Sequence, residues 1–352
     1  FFFFFSFPRY AAFGASANAY PSFETTSSLF SCTENAEKAL EILLDFVQSP
    51  YFTAQTVEKE QGIIGQEIKM YDDDPQWRVL FNLLRALYHT HPIKDDIAGT
   101  VESIAEITPE YLYRCYNTFY NLNNMALCVS GSCNAAEVLA LCDKMLKQSA
   151  PVQVERVFEP EPDAIVQPAV EERLAVASPI FEFGIKEAVR GEHRSEKDLA
   201  VTEVLLDIMA SDSSPLFRRL LDASLINEAS FSYEYFEGSG YGAVLFGGES
   251  SDPHAVCAAI REEMRRLKAE GVSEEDVRRS AKSLYGGNLA GLNSPEVIAN
   301  AAMSMEFSGR ELFRYIECFS EITAADGNAR IQSPFNEDKT AVFVSWPLEE
   351  NA

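Results

Sequence analysis

At 352 residues with a net charge of −25, from 54 acidic against 29 basic side chains, the chain is long enough for two domains that each bury a core. That charge repels a phosphate backbone or an anionic membrane surface, so the expected partner is a peptide, with no nucleic acid and no membrane. A composition 47% hydrophobic and 24% charged is globular rather than disordered, and no apolar run approaches the roughly 20 residues of a membrane span.

The opening FFFFFSFP lacks an initiating Met, a basic segment and a cleavage site, and reads as a truncated or mis-joined start rather than a signal peptide. Residues 15–32 alternate small, aromatic and β-branched residues around Pro21-Ser22. They predict two strands, the first at a sheet edge because Pro21 cannot donate to a ladder. Ala36, Leu40, Leu43, Leu44 and Val47 recur at helical spacing and predict a helix that stops before Pro50.

A second helix is expected from Thr53 to the Asp72-Asp73-Asp74-Pro75 stop, with an amphipathic pattern resuming over 77–88. Thr108-Pro109-Glu110 pairs a Thr cap with a first-turn Pro, and the apolar residues 125–130 predict a strand that closes the first half.

Residues 150–175 interleave Pro with Glu and Asp and predict a stiff, solvated linker. The second half repeats the grammar of the first. Strands are expected at 181–185, 231–235, 241–246 and 340–346, and helices at 197–210, 253–270 and 273–284. Gly238-Ser239-Gly240 reads as a hairpin turn, and Gly286-Gly287 as a turn ending a helix rather than a phosphate loop. The seven cysteines are odd in number, form no Cys-x-x-Cys pair and lie mostly in apolar runs, which predicts buried free thiols and a reducing, cytoplasmic location.

The stretch VEKEQGIIGQEIKMY carries the chemistry. At about 100° per residue, Val57, Ile63, Ile64, Ile68 and Tyr71 fall within one arc of roughly 140°, and Glu60 and Glu67 fall inside it. A carboxylate on a buried face costs several kcal/mol unless a cation or hydrogen bonds compensate. Two such carboxylates ask for a metal or a basic side chain from another element, unless the face is only partly buried and they reach solvent at its edge.

EKEQGIIGQEIKMYDDDPQWR, with GASANAYPSFETTSSLFSCT upstream and HPIKDDIAGTVESIAEITPEYLYRCYNTFYNLNNMALCVSG downstream, resembles the first domain of insulinase/pitrilysin-type zinc peptidases, closest to bacterial two-domain and processing-peptidase-like members. The resemblance implies an α+β fold of the LuxS/processing-peptidase type. It has two related domains, each a mostly antiparallel sheet packed with helices, the first domain incomplete. The expected boundaries are 1–149 for the first domain, 150–175 for the linker and 176–352 for the second.

By resemblance Glu67 is the third protein ligand of a catalytic zinc and Glu60 the acidic residue that supports it. Ala17, Asn18, Ala19 and Tyr20 match the edge strand on which a substrate peptide lies, with Asn18 bonding a peptide carbonyl and small residues at 15, 17 and 19 leaving room for the guest.

The sequence departs from the family where it matters most. None of His89, His91, His193 and His254 sits in the family's His-x-x-Glu-His, which supplies two ligands and the general base. His89-Thr90-His91 reads as a surface turn, and His193 and His254 as solvated. In the second domain Leu221 stands where active relatives carry an Arg, and Ser230 or Phe231 near their Tyr; Arg218, Arg219 and Tyr233 are the neighbours.

The expected function is that of a zinc metalloendopeptidase of short or unfolded peptides, inactive as this chain alone and not loaded stoichiometrically with zinc. The alternatives are a noncatalytic peptide-binding subunit, as a homodimer or with an active family member, and a purely structural subunit.

Overall fold

The computed structural model describes residues 7–188 and 193–348. In chain order its first elements are α1 (Phe7–Ala11), β1 (Ala15–Pro21), β2 (Thr26–Cys32), α2 (Ala36–Gln48), α3 (Ala54–Asp72), α4 (Pro75–Leu87), α5 (Val101–Ala105), α6 (Pro109–Phe119) and α7 (Ala135–Met145). There follow β3 (Ala169–Leu174), β4 (Ile180–Lys186), α8 (Glu196–Ala210), α9 (Pro215–Asp222), β5 (Ser232–Gly238), β6 (Tyr241–Glu249), α10 (Pro253–Glu270) and α11 (Glu274–Gly291). The last are α12 (Pro295–Phe307), α13 (Leu312–Cys318), α14 (Ala324–Arg330) and β7 (Thr340–Pro347).

The fold is α+β, and it forms two compact units. The first takes the chain up to Lys69, then Ile97–Val157 and Leu292–Phe307; the second takes Met70–Asp96, Phe158–Gly291 and the chain from Ser308. These are not the contiguous blocks 1–149 and 176–352. The main reason is α4, whose apolar face lies on the sheet of the second unit. Leu83 and Leu87 press so close to β4 that a Cβ at Gly184 would sit 2.8 Å from Leu87 Cδ1.

In the first unit β1 and β2 pair antiparallel from Ala15↔Cys32 to Pro21↔Thr26. Helix α2 supplies their floor: Ala39, Ile42 and Leu43 bury against Tyr10 and Ala15, while Leu40 and Leu44 pack on Leu141 and Cys142 of α7. Burial of each such Leu or Ile is worth about 1.5–3 kcal/mol, so α2 is the anchor of this unit. Residues 125–130, expected as a strand, have no ladder partner among the described residues. An apolar run is compatible with an extended backbone, but a strand exists only where another strand pairs with it.

The second unit holds a five-stranded sheet in the order β3-β7-β4-β6-β5, parallel between β3 and β7 and antiparallel elsewhere. The central strands β4, β6 and β7 are buried nearly throughout, and α8 is buried from Leu199 to Ala210 except at Glu203. The β5–β6 hairpin turns at Ser239-Gly240, with Gly240 at φ +83°, as its glycines predict.

Two expectations fail here. Residues 169–174 of the expected linker are β3, an edge strand whose charged Glu171, Glu172 and Arg173 disguise it. Helix α11 runs through Gly286 and Gly287 to Gly291, because at neither residue does helix geometry need a turn and propensity alone does not stop it.

Candidate functional site

Edge strand β1 has one neighbour, β2, so its other edge is open among the described residues. The Ala19 amide donates to the side-chain Oδ1 of Asn18 at 2.8 Å rather than to β2. It therefore faces the open edge. Because backbone groups alternate in direction along a strand, the Ala17 amide faces outward as well. These are the groups an added strand would pair with.

The side chains at 15, 17 and 19 do something other than expected. They point into the core with Ile42, Leu43 and Phe46, so their small size admits α2 rather than a guest. Ser16, Asn18 and Tyr20 form the opposite, exposed face. Ser16 Oγ and Ser31 Oγ lie 2.8 Å apart across the ladder, and Tyr20 Oη donates to Asn300 Oδ1 at 3.1 Å.

Helix α3 follows Thr53, whose Oγ1 accepts from the Thr56 amide at 3.2 Å, and Gln61 Nε2 ties it to the carbonyls of Ile104 and Ile107 at 2.8 and 3.0 Å. Its buried line is Val57, Glu60 and Ile68, with Glu60 only 8% exposed. Glu67 is half-buried, and Ile63, at the far edge of the predicted arc, is exposed. The arc is thus narrower than the pattern suggests, and burial fades across it from Ile68 toward Ile63. Among the described residues no hydrogen-bond donor or basic side chain reaches the Glu60 carboxylate.

The histidines are committed elsewhere. His91 is buried, not on a surface turn: its Nδ1 accepts from the Ile93 amide at 3.1 Å, which makes Nε2 the donor to the Ser239 carbonyl, also at 3.1 Å. The amides of His89, Thr90 and His91 all donate to Glu161, at 2.9, 2.7 and 2.8 Å. His193 is enclosed rather than solvated, with Nδ1 3.7 Å from Glu237, and the exposed His254 lies 3.4 Å from Glu171.

A catalytic zinc needs three protein ligands and an open position. The described residues hold no group of three His, Cys, Asp or Glu side chains placed to bind a metal, and the His ligands of the family motif are absent from the sequence. The donor set does not fit a catalytic zinc, and no hydrolytic step through one is derived.

The neighbours of the missing Arg and Tyr are also occupied. Arg219 pairs with Glu263 at 3.0 Å, and Tyr233 Oη donates to Asp207 at 3.4 Å.

Known proteins resemble the chain along most of its length. Residues 9–101 match the family model described as Insulinase (Peptidase family M16), and 106–284 match Peptidase M16 inactive domain. The zinc protease YmfH of Bacillus subtilis, itself uncharacterized, is 36% identical over 343 residues, covering 95% of this chain and 79% of that protein. An M16-like peptidase from Alicyclobacillus acidocaldarius superposes with a TM-score of 0.93 at 33% identity, covering 97% of this chain and 82% of that one. An M16 inactive domain from Pseudomonas fluorescens shares the fold alone, with a TM-score of 0.79 at 16% identity over 97% of this chain and 83% of that one.

Proposed function

The chain belongs to the insulinase (M16) peptidase family, and from that membership we propose that it holds an extended peptide along β1 and does not cleave it unaided. The observation that carries the reading is the outward Ala19 amide, satisfied for now only by its neighbour's side chain. Main-chain pairing of this kind gives affinity with little dependence on sequence, which suits short or unfolded peptides. Excess negative charge favours neutral or cationic ones.

Turnover then belongs to a partner. A homodimer would bring the same missing histidines twice, so a heterodimer with an active family member is the assembly consistent with catalysis. A cytoplasmic location accompanies the reading, supported by seven cysteines that are all free. No helix among the described residues is long and apolar enough to cross a membrane.

A second reading, family-type zinc endopeptidase, draws on the placement of Glu60 and Glu67 on one face of α3, with Glu60 among its buried residues. Metal content and turnover separate the two. The purified chain is expected to carry well under one zinc per molecule and to leave an unstructured fluorogenic peptide intact. One zinc per chain together with chelator-sensitive cleavage would overturn the noncatalytic reading.

A further inference from the structure

A peptide on β1 presents every second side chain to the face of Tyr20, a residue hydrogen-bonded to helix α12. Its sequence, PEVIANAAMSMEF, is mostly apolar, yet none of its residues is buried. It belongs to the first unit although the elements before and after it in the chain belong to the second. The bond from Tyr20 Oη to Asn300 Oδ1 ties α12 to the exposed face of β1.

Helical spacing puts Val297, Met303 and Phe307 on the same face of α12 as Asn300, at offsets of three and seven residues. Val297 is 48% exposed, Phe307 42% and Tyr20 40%. Met303 is half-buried between them; single exposed apolar side chains are ordinary, but a row of apolar ones on a helix tied to the exposed face of an edge strand offers a binding surface.

A strand added to the outer edge of β1 would direct every second side chain to the face of Ser16, Asn18 and Tyr20, the face to which α12 is tied. The exposed Glu296 and Glu306 of α12 disfavour acidic guests.

We propose that Tyr20 with Val297, Met303 and Phe307 forms an apolar wall that selects extended peptides carrying apolar residues at alternate positions. The inference rests on the reading of β1 as the peptide edge and adds its side-chain preference.

The test compares two labelled, unstructured decapeptides by fluorescence anisotropy, one with Val and Leu at alternate positions and one with Ser at those positions. The parent chain is expected to bind the apolar peptide about tenfold more tightly, from burial of one or two side chains. The double variant Val297→Asp/Phe307→Asp changes exposed positions only; it should keep its circular dichroism and its affinity for the Ser peptide while losing the preference. Ala19→Pro removes an outward amide and should weaken both peptides alike.

Preference retained by Val297→Asp/Phe307→Asp would overturn the α12 inference, and with both peptides still weakened by Ala19→Pro the β1 reading would stand. A parent chain that binds neither peptide would overturn both.

Discussion

In the second unit Glu187 is boxed in by Arg330 at 2.5 and 2.8 Å, Arg194 at 2.6 Å, Tyr235 at 2.7 Å and Ser333 at 2.5 Å, whereas Glu60 in the first unit is nearly as buried and has no such company. Burial opposes ionisation of Glu187, but the hydrogen bonds and charge of Arg330, with Ser333 and Tyr235, overcome it and hold the carboxyl at about 2. Glu161 is treated the same way. Burial works against it, and Lys186 with the three amides of the 89–91 turn brings it to about 2.

At Glu182, half-buried on β4, burial aided by the charge of Glu234 pushes the carboxyl up to about 8. Carboxylates that serve the fold thus come with their own counter-charge or are pushed toward the neutral form. Glu60 on α3 has no such counter-charge: among the described residues no Arg or Lys pairs with it.

The comparison breaks most sharply at Arg330. Arg330→Met removes two of the hydrogen bonds to the buried Glu187 and leaves Arg194 as its remaining cation, and is expected to cost about 3 kcal/mol in urea unfolding; a cost under about 1 kcal/mol would show that Arg330 is not what stabilises the network.

Acid probes the same groups together. Their folded pKa values lie below the unfolded ones, so their contribution is full above about pH 5 and is lost as the pH falls toward 2. On the order of 3 kcal/mol should disappear for each group over that window, read as a shift of the urea midpoint, and Arg330→Met should flatten the profile.

The smallest effect has the opposite sign. Glu60→Leu exchanges a carboxylate that reaches solvent at the margin of an apolar line for an apolar side chain, and should raise stability by about 1 kcal/mol or less. Destabilisation by that change would mean Glu60 serves the fold as Glu187 does.

Much of this architecture is legible in local chemistry. Thr108 with Pro109 starts α6 where the sequence predicts, and Asp74-Pro75, read as the stop of α3, is also the start of α4, two residues before the expected Trp77; each cap side chain accepts from amides of the first turn. What escaped depends on distance along the chain. Glu161 lies among prolines and acids that read as solvated linker, and only Lys186 at the end of β4 and the 89–91 turn reveal its role.

Tyr20 and Asn300 are 280 positions apart, so no pattern could have tied α12 to β1. For the site, periodicity placed Glu60 and Glu67 on one arc, but which of them is buried depends on how far the neighbouring elements cover that arc.

The central claim is that the open edge of β1 receives a peptide strand. Hydrogen exchange of the Ala17 and Ala19 amides, with and without a saturating unstructured peptide, tests it most directly. Both amides should exchange rapidly in the free chain and become protected in the complex. Peptide binding that leaves the Ala17 and Ala19 amides unprotected would contradict it.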